Sequence, residues 1–391
     1  MVKDSDLNEL STPLFLKPLH VGRPNVGNRD RFLKRVHEIF DQMWFTNGGI
    51  LVQQFEKELT RYLGVKHCIP VCNATLGLEI AIRAIGMQAE VLVPSFTFVA
   101  TPHSLAWQGI TPVFCDVNPL THNLDIRKIE KKITPRTTGI IGVHVWGNAC
   151  EIEALTELAK RRNLHLIFDA AHAFGCSHQG KMIGNFGALE VFSFHATKFF
   201  NSFEGGAIAT NNDDLAAKIR LMKNFGFSAM DQVIFPGTNG KMTEIAAAMG
   251  LTSLESINEF IACNKRNYDL YRQCLQSVPG IKVFEHPSEQ RHNYQYVILE
   301  INEDEFKMNR DSLMEALHSQ NVLARRYFFP GCHQMKPYQT NPSAHLEQTD
   351  ALSSRVLSLP NGTSVNERDI RAIASFIRKC GNQRKNPTKG I

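Results

Sequence analysis

The stretch Glu190-Val-Phe-Ser-Phe-His-Ala-Thr-Lys198 ends a β-patterned run on a lysine, with Ser193 and His195 just before it and Phe199-Phe200 just after. A second short apolar run, Ala207–Thr210, follows behind the paired glycines Gly205-Gly206. Desolvation and nearby positive charge both lower a lysine pKa. The neutral amine is the form that attacks a carbonyl and makes a Schiff base. The chain carries 43 Lys and Arg. Taken alone, this stretch therefore favours a lysine snorkelling at a strand end.

Two further segments change that balance. Leu164-His-Leu-Ile-Phe-Asp169 reads as a buried strand ending in a carboxylate, and the small residues Ala170-Ala171 follow, ahead of His172. In open α/β sheets, ligands sit at the carboxyl ends of strands. A strand-end aspartate can hold a pyridinium N–H, keeping a pyridoxal phosphate ring protonated as an electron sink; it can also be an ordinary helix cap. Cys72-Asn73-Ala74-Thr75-Leu76-Gly77 opens the periodic stretch Leu78–Ile85. Small and polar residues at a helix start leave backbone N–H groups free for an anion, and the helix dipole favours one there. Taken alone, this segment favours a plain N-cap over an anion site. Thr75, Asp169 and Lys198 together supply a phosphate site, a pyridinium partner and an imine-forming lysine, in the order expected of a fold-type I pyridoxal phosphate enzyme.

With those residues in place the chain resembles the DegT-type sugar-nucleotide aminotransferase family. The matching wording runs from about Asn47 to about Pro360. It comprises Thr46–Gly49 before Phe55-Glu56, Pro94–Phe98, Phe114–Asp116, Asp169–His172, Ser193–Lys198, Glu204–Gly206 and Gly237–Glu244. Within the family it is most similar to enzymes that aminate C4 of a dTDP-4-keto-6-deoxyhexose. The resemblance implies Lys198 as covalent anchor and proton carrier, and Asp169 as partner of the pyridine nitrogen. It implies His172 against the phenolic oxygen, although a satisfied core histidine is a competing reading. Phe98 is implied as the stacking ring, and Ala74, Thr75 and Ser193 as phosphate ligands. Many relatives have glycine where Ala74 lies. Some family members are dehydratases with histidine in place of the lysine, so the intact Lys198 implies transamination; His195 reads as structural support. Asn239 is implied to reach the cofactor phosphate of a neighbouring subunit, which makes a homodimer with shared active sites the functional unit. Turn chemistry alone also explains an Asn in Gly-Thr-Asn-Gly. Asn47, Gly48 and His333 are implied in the sugar pocket. The implied substrates are a nucleotide-linked ketosugar and L-glutamate. Alternatives are a C3 ketone, a GDP-linked sugar, an eight-carbon ketosugar acid, or a non-catalytic binding protein on the same scaffold. Intact Thr75, Asp169 and Lys198 speak against the last.

These residues need a scaffold, and the patterning predicts one. Strands are expected at Val91–Val93, Pro112–Cys115, Gly139–His144, Leu164–Phe168, Val191–Phe194 and Ala207–Thr210, alternating with helices such as Glu151–Arg162. That alternation predicts an α/β fold, a mainly parallel sheet flanked by helices. Residues 1–45 read as a lead-in with one helix at Arg29–Trp44, and residues 1–250 as lead-in plus the large cofactor domain. Residues 251–391 read as a long helix over 251–277, a smaller C-terminal α+β domain and a polar, mobile tail. In that domain, strands are expected at Ile281–Phe284 and Tyr294–Ile301, and helices at Asp311–Ser319 and Asn366–Lys379.

Composition narrows the setting. At 391 residues the chain can bury a large core. A net charge of +5 without a long basic run argues against nucleic-acid binding. Nine scattered cysteines have no disulfide-framework spacing and favour a reducing compartment. His67, Cys68 and Cys72 lack a second ligand pair, so no metal is expected and both cysteines are read as core. No membrane-length apolar run and no signal-peptide pattern is present, so no membrane association is expected and the cytoplasm is the expected location.

Overall fold

The computed structural model describes residues 13–339 and 345–383. Seven strands build the large sheet: β1 (His67–Val71), β2 (Glu90–Pro94), β3 (Thr111–Cys115), β4 (Thr137–Val143), β5 (His165–Asp169), β6 (Leu189–Ser193) and β7 (Gly206–Thr210). Their spatial order is β1-β7-β6-β5-β4-β2-β3. β7 runs antiparallel to both neighbours, and every other pair is parallel. Parallel strands are covered on both faces, which is why β4, β5 and β6 are apolar through their middles rather than alternating. Val143 lies opposite Asp169, and Asp169 opposite Val191, so these strands finish at one edge.

The helices of the first part with at least seven residues are α1 (Arg29–Gln42), α2 (Ile50–Leu63), α3 (Ala74–Ile85), α4 (Ala100–Ala106), α5 (Ile152–Arg162) and α6 (Asp213–Met222). Then come α7 (Glu244–Glu255), α8 (Ile257–Leu275), α9 (Arg310–Ser319), α10 (Glu347–Arg355) and α11 (Glu367–Gln383). One cluster, with Phe55, Phe168, Phe192 and Phe200, fills one face of the large sheet; another, with Leu78, Ile141, Ile167 and Ile208, fills the opposite face. A third surrounds the antiparallel sheet β8 (Ile281–Val283), β9 (Val297–Ile301) and β10 (Val356–Leu359), covered by Tyr271 of α8 and Ile370, Ile373 and Ile377 of α11. A fourth cluster joins the two sheets through Phe96, Val143, Trp146, Phe284, Tyr296, Ile298 and Phe328.

Several expectations are corrected. β1 escaped the pattern because Pro70 interrupts it; β1 is an edge strand, where a missing N–H costs no ladder bond. β4 starts two residues earlier than expected, at Thr137. The single helix over 251–277 is two helices that break at Ser256, whose φ of −103° and ψ of 7° leave the helical basin. Hydrophobic periodicity passes through the break undisturbed. Tyr294–Tyr296 precede β9 as irregular chain, and α10 and β10 had no expectation at all. The tail expected from Asn382 begins later, since α11 reaches Gln383; residues 384–391 and 1–12 lie outside the described residues. Cys68 is buried as expected, but Cys72 is only half-buried.

The loop Phe45–Gly49 is pinned by Glu244. Its buried carboxylate accepts the Leu51 N–H (2.8 Å) and the Val52 N–H (3.1 Å), capping α2 from the first turn of α7. Further along α7, Gly250 faces the fully buried Phe55 ring, and a Cβ there would lie 2.5 Å from it. Alanine is the better helix former by about 1 kcal/mol. Overpacking a rigid core costs about 1–3 kcal/mol. Gly250→Ala should therefore lower the unfolding free energy by up to about 2 kcal/mol in a urea titration. A gain in stability would show that α7 and α2 are not in contact there.

Candidate active site

The carboxyl ends of β4, β5 and β6, the start of β7 and the first turn of α3 enclose a cavity of about 320 Å³. Its walls include Lys198, Asp169, His172, Ser193, Ala74, Thr75 and Phe98. Seven of the eleven residues singled out from the sequence are thus brought together.

At the base of α3, Asn73 caps the helix by accepting the Leu76 N–H through its side chain (2.8 Å). The Ala74 and Thr75 amides come too early in the helix to have an intrahelical acceptor. Gly206 lies alongside, in register with Ser193. A Cβ on Gly206 would stand 2.9 Å from the Ala74 nitrogen and 2.7 Å from the Phe192 oxygen, so only glycine leaves this approach open. Free amides, two hydroxyls and the positive helix end form an anion cradle.

Asp169 is buried. Its Oδ2 accepts the Thr101 hydroxyl (2.8 Å) and its Oδ1 the Ala171 N–H (3.1 Å). Burial raises its pKa, and these hydrogen bonds and Lys198 offset the rise only in part. A desolvated carboxylate of this kind is stabilised by a cation brought against it. Lys198 follows β6 on a turn closed by its N–H to the His195 carbonyl (2.8 Å). Its Nζ donates to the Tyr296 hydroxyl (3.2 Å). Desolvation brings the amine down to about 8, against the opposing pull of Asp169. The neutral nucleophile is therefore populated near neutral pH.

His172 is buried and held well below its ordinary pKa by desolvation, with Lys198 adding to the effect. It is neutral, and its Nδ1 accepts the Trp146 backbone N–H (3.2 Å). Phe98, by contrast, is 57% exposed and stands at the cleft rim.

Four of the singled-out residues lie elsewhere in this chain. Asn239 is exposed and accepts the Lys241 ammonium (2.7 Å). Asn47 and Gly48 are exposed on the loop before α2, both with positive φ. His333 does not line the cleft: its Nδ1 lies 2.6 Å from the Ser95 hydroxyl and its Nε2 3.2 Å from Asp350, binding the segment after Phe328 to the turn after β2. In turn, the cleft contains residues the sequence had not singled out as site residues. Thr101 and Tyr296 touch Asp169 and Lys198 directly, and Arg325, Tyr327 and Phe328 close one side. From the sequence, Tyr296 was one aromatic within the expected strand Tyr294–Ile301, with nothing to aim it at the cleft, and Thr101 had no signal. Among the described residues, no cluster of His, Cys, Asp and Glu is placed to bind a metal.

The family model for DegT/DnrJ/EryC1/StrS aminotransferases matches residues 27–378. The chain belongs to the DegT/DnrJ/EryC1/StrS aminotransferase family. It is 38% identical to the dTDP-4-amino-4,6-dideoxy-D-glucose transaminase of Shigella dysenteriae, over 93% of this chain and 99% of that protein. It is 36% identical to the GDP-perosamine synthase of Caulobacter vibrioides, over 92% of this chain and 98% of that protein. Among solved structures, DesI, crystallised in the presence of its TDP-sugar product, superposes with a TM-score of 0.92 at 47% identity, covering 95% of each chain. The fold is that of the sugar aminotransferases of this family, a mostly parallel sheet flanked by helices.

In the cofactor-free protein, labelling of Lys198 by an amine-selective acylating reagent should rise with pH about a midpoint near 8. Asp169→Asn should move that midpoint lower, because the carboxylate is what holds the proton on. Peptide mass spectrometry reads both. A midpoint near that of ordinary surface lysines would contradict the desolvated site.

Proposed function

We propose that this chain uses pyridoxal 5'-phosphate to transfer an amino group from L-glutamate to C4 of dTDP-4-keto-6-deoxyglucose, giving a 4-amino-4,6-dideoxysugar. The carrying observation is that one cleft holds a desolvated lysine amine, a buried carboxylate and an amide cradle, in a chain similar over more than nine-tenths of its length to 4-amino-4,6-dideoxyglucose transaminases. The donor set fits the cofactor: Ala74, Thr75 and Ser193 would hold its phosphate, Asp169 its ring nitrogen, His172 its phenolic oxygen, and Phe98 one ring face. Bound there, pyridoxal phosphate supplies the carbonyl and the electron-withdrawing ring that amino transfer needs. Lys198 would anchor it, and the Lys198 Nζ would take and return the proton at the carbon that carries the nitrogen. Tyr296 orients the Lys198 Nζ, and Thr101 fixes the Asp169 carboxylate.

A sugar carried on two phosphates needs an open approach. A neighbouring cavity of about 520 Å³ shares Thr97, Phe98, Arg325, Tyr327 and Phe328 with the cleft, and Arg326 and Phe329 help to line it. Arg325 stands over the Tyr327 ring at 5.3 Å and offers a cation to the diphosphate. The 36% identity to a GDP-perosamine synthase favours GDP-linked 4-ketosugars as the second reading.

Asn239, Asn47 and Gly48 are proposed to serve the cleft of a second copy. The hairpin beside Asn239 exposes Phe225, Phe227, Met230, Val233 and Ile234, and the end of α1 exposes Met43 and Trp44. Apolar exposure on this scale marks an interaction surface, and a closed two-fold homodimer is the simplest arrangement. A fully active monomer in sedimentation at assay concentration would contradict it. The proposed location is the cytoplasm; among the described residues, no helix is long and apolar enough to cross a membrane.

The substrate is tested in two half-reactions. The holoenzyme is treated with glutamate, freed of it, and given one ketosugar at a time. The absorbance of the oxidised cofactor should return fastest with the dTDP-linked 4-ketosugar, and NMR should place nitrogen on C4. Nitrogen on C3, or discharge only by a GDP-linked sugar or an eight-carbon ketosugar acid, would move the assignment to that substrate.

A further inference from the structure

Trp146 sits on the turn after β4 with a left-handed backbone, φ 60°. For a bulky residue that conformation is uncommon and persists only where its surroundings hold it. Its side chain is fully buried. The indole Nε1–H donates to His122 Nδ1 (3.0 Å). The ring stacks almost parallel on Phe328 (5.2 Å, 5°) and on His172 (5.9 Å, 10°). The same residue's backbone N–H donates to His172 Nδ1.

Hydrogen-bond bookkeeping then fixes two protons. A neutral imidazole whose Nδ1 accepts must carry its proton on Nε2. For His172, the cleft histidine, this makes Nε2–H the free donor. For His122 it places the proton on a buried Nε2 that has no hydrogen-bond partner among the described residues. The Glu300 carboxylate lies 3.6 Å from that Nε2, too long for a hydrogen bond but of the sign that favours an N–H there. His122 also has a left-handed backbone, φ 61°, and is wholly buried against Phe96, Trp146 and Phe284. Apolar packing alone would not require a histidine at that position.

We propose that His122 and Trp146 form a positioning relay that locks His172 as an Nε2–H donor facing the cleft. The inference rests on the reading that this cleft holds pyridoxal phosphate. Neither residue touches the reacting atoms. His122 fixes the indole, the indole fixes the turn, and the turn's N–H selects the tautomer. A donor on Nε2 can hold the cofactor's phenolic oxygen as an anion; an acceptor there would repel it.

The test is the pH midpoint of the bound cofactor's visible band in the holoenzyme, with cofactor affinity measured alongside. Trp146→Phe keeps an aromatic ring in the stack but loses the indole donor. It should raise the midpoint by about half a pH unit and weaken pyridoxal phosphate binding about fivefold, the size of one net hydrogen bond. His122→Asn retains an acceptor at the Nδ1 position and tolerates the left-handed backbone, so it should behave like the parent. In a His172→Phe background, Trp146→Phe should add no further shift. If Trp146→Phe does not fold, His122→Phe removes the acceptor instead and should give the same shift. An unchanged midpoint in the variant lacking the donor or the acceptor, or an additive shift in the His172→Phe background, would overturn the relay. Should the parent form no visible band, the functional reading fails instead. In that case ¹⁵N shifts of the labelled full chain still report whether His172 carries its proton on Nε2, as the relay requires, or on Nδ1, which would refute it.

Discussion

An amine and a carboxylate must share one cleft away from bulk water, and the scaffold around them follows from that demand. Desolvating either group alone costs several kcal/mol. Both costs appear as shifts, Lys198 downward to about 8 and Asp169 upward. The protein tolerates them because every wall of the cleft is fixed. β5 sets Asp169, the β6 turn sets Lys198, and Thr101 and Tyr296 take up the polar atoms. The aromatic cluster of Phe96, Trp146, Tyr296 and Phe328 carries residues from both sheets and leaves little room for either to shift. A cofactor with a cationic ring nitrogen and an electrophilic carbonyl relieves both strained groups at once.

How much of this was legible in the sequence depends on distance along the chain. The strand ends at Asp169 and Lys198, and the helix start at Ala74, announce themselves locally because strand pattern and capping chemistry are local. Their meeting in one cleft follows from parallel order, which alternating elements imply. Tyr296 and Thr101 were not legible: their roles come from contacts made across the fold, and an aromatic in a strand-like run or a threonine in a short helix looks the same wherever it sits. β1 was hidden by Pro70, harmless only because the strand is at an edge. The break at Ser256 was hidden because the apolar stripe continues on both sides. His333 shows the limit of reading a residue from its segment. It lies in a segment that reaches the cleft, yet its own ring braces that segment against Ser95 and Asp350.

The cofactor half of the site and the substrate half rest on different grounds. Of the proposed cofactor ligands, all but Asn239 line one cleft of one chain. The proposed substrate side is an open aromatic mouth with Arg325 at its edge; the Asn47–Gly48 loop lies outside it, as does Asn239, the residue proposed to reach a partner's cofactor phosphate, both near exposed apolar side chains. Glu244 pins that loop by capping α2, so its placement is set by the fold and not by a ligand. A second copy that brings these groups to the mouth would complete the pocket.

Lys198 is proposed to anchor the cofactor in this cleft. Borohydride reduction of the holoenzyme followed by peptide mapping tests it most directly. The account predicts a single pyridoxyl adduct on Lys198, with none on the desolvated Lys223, whose Nζ is turned to the Pro70 carbonyl. An adduct on any other lysine, with Lys198 unmodified, would contradict it.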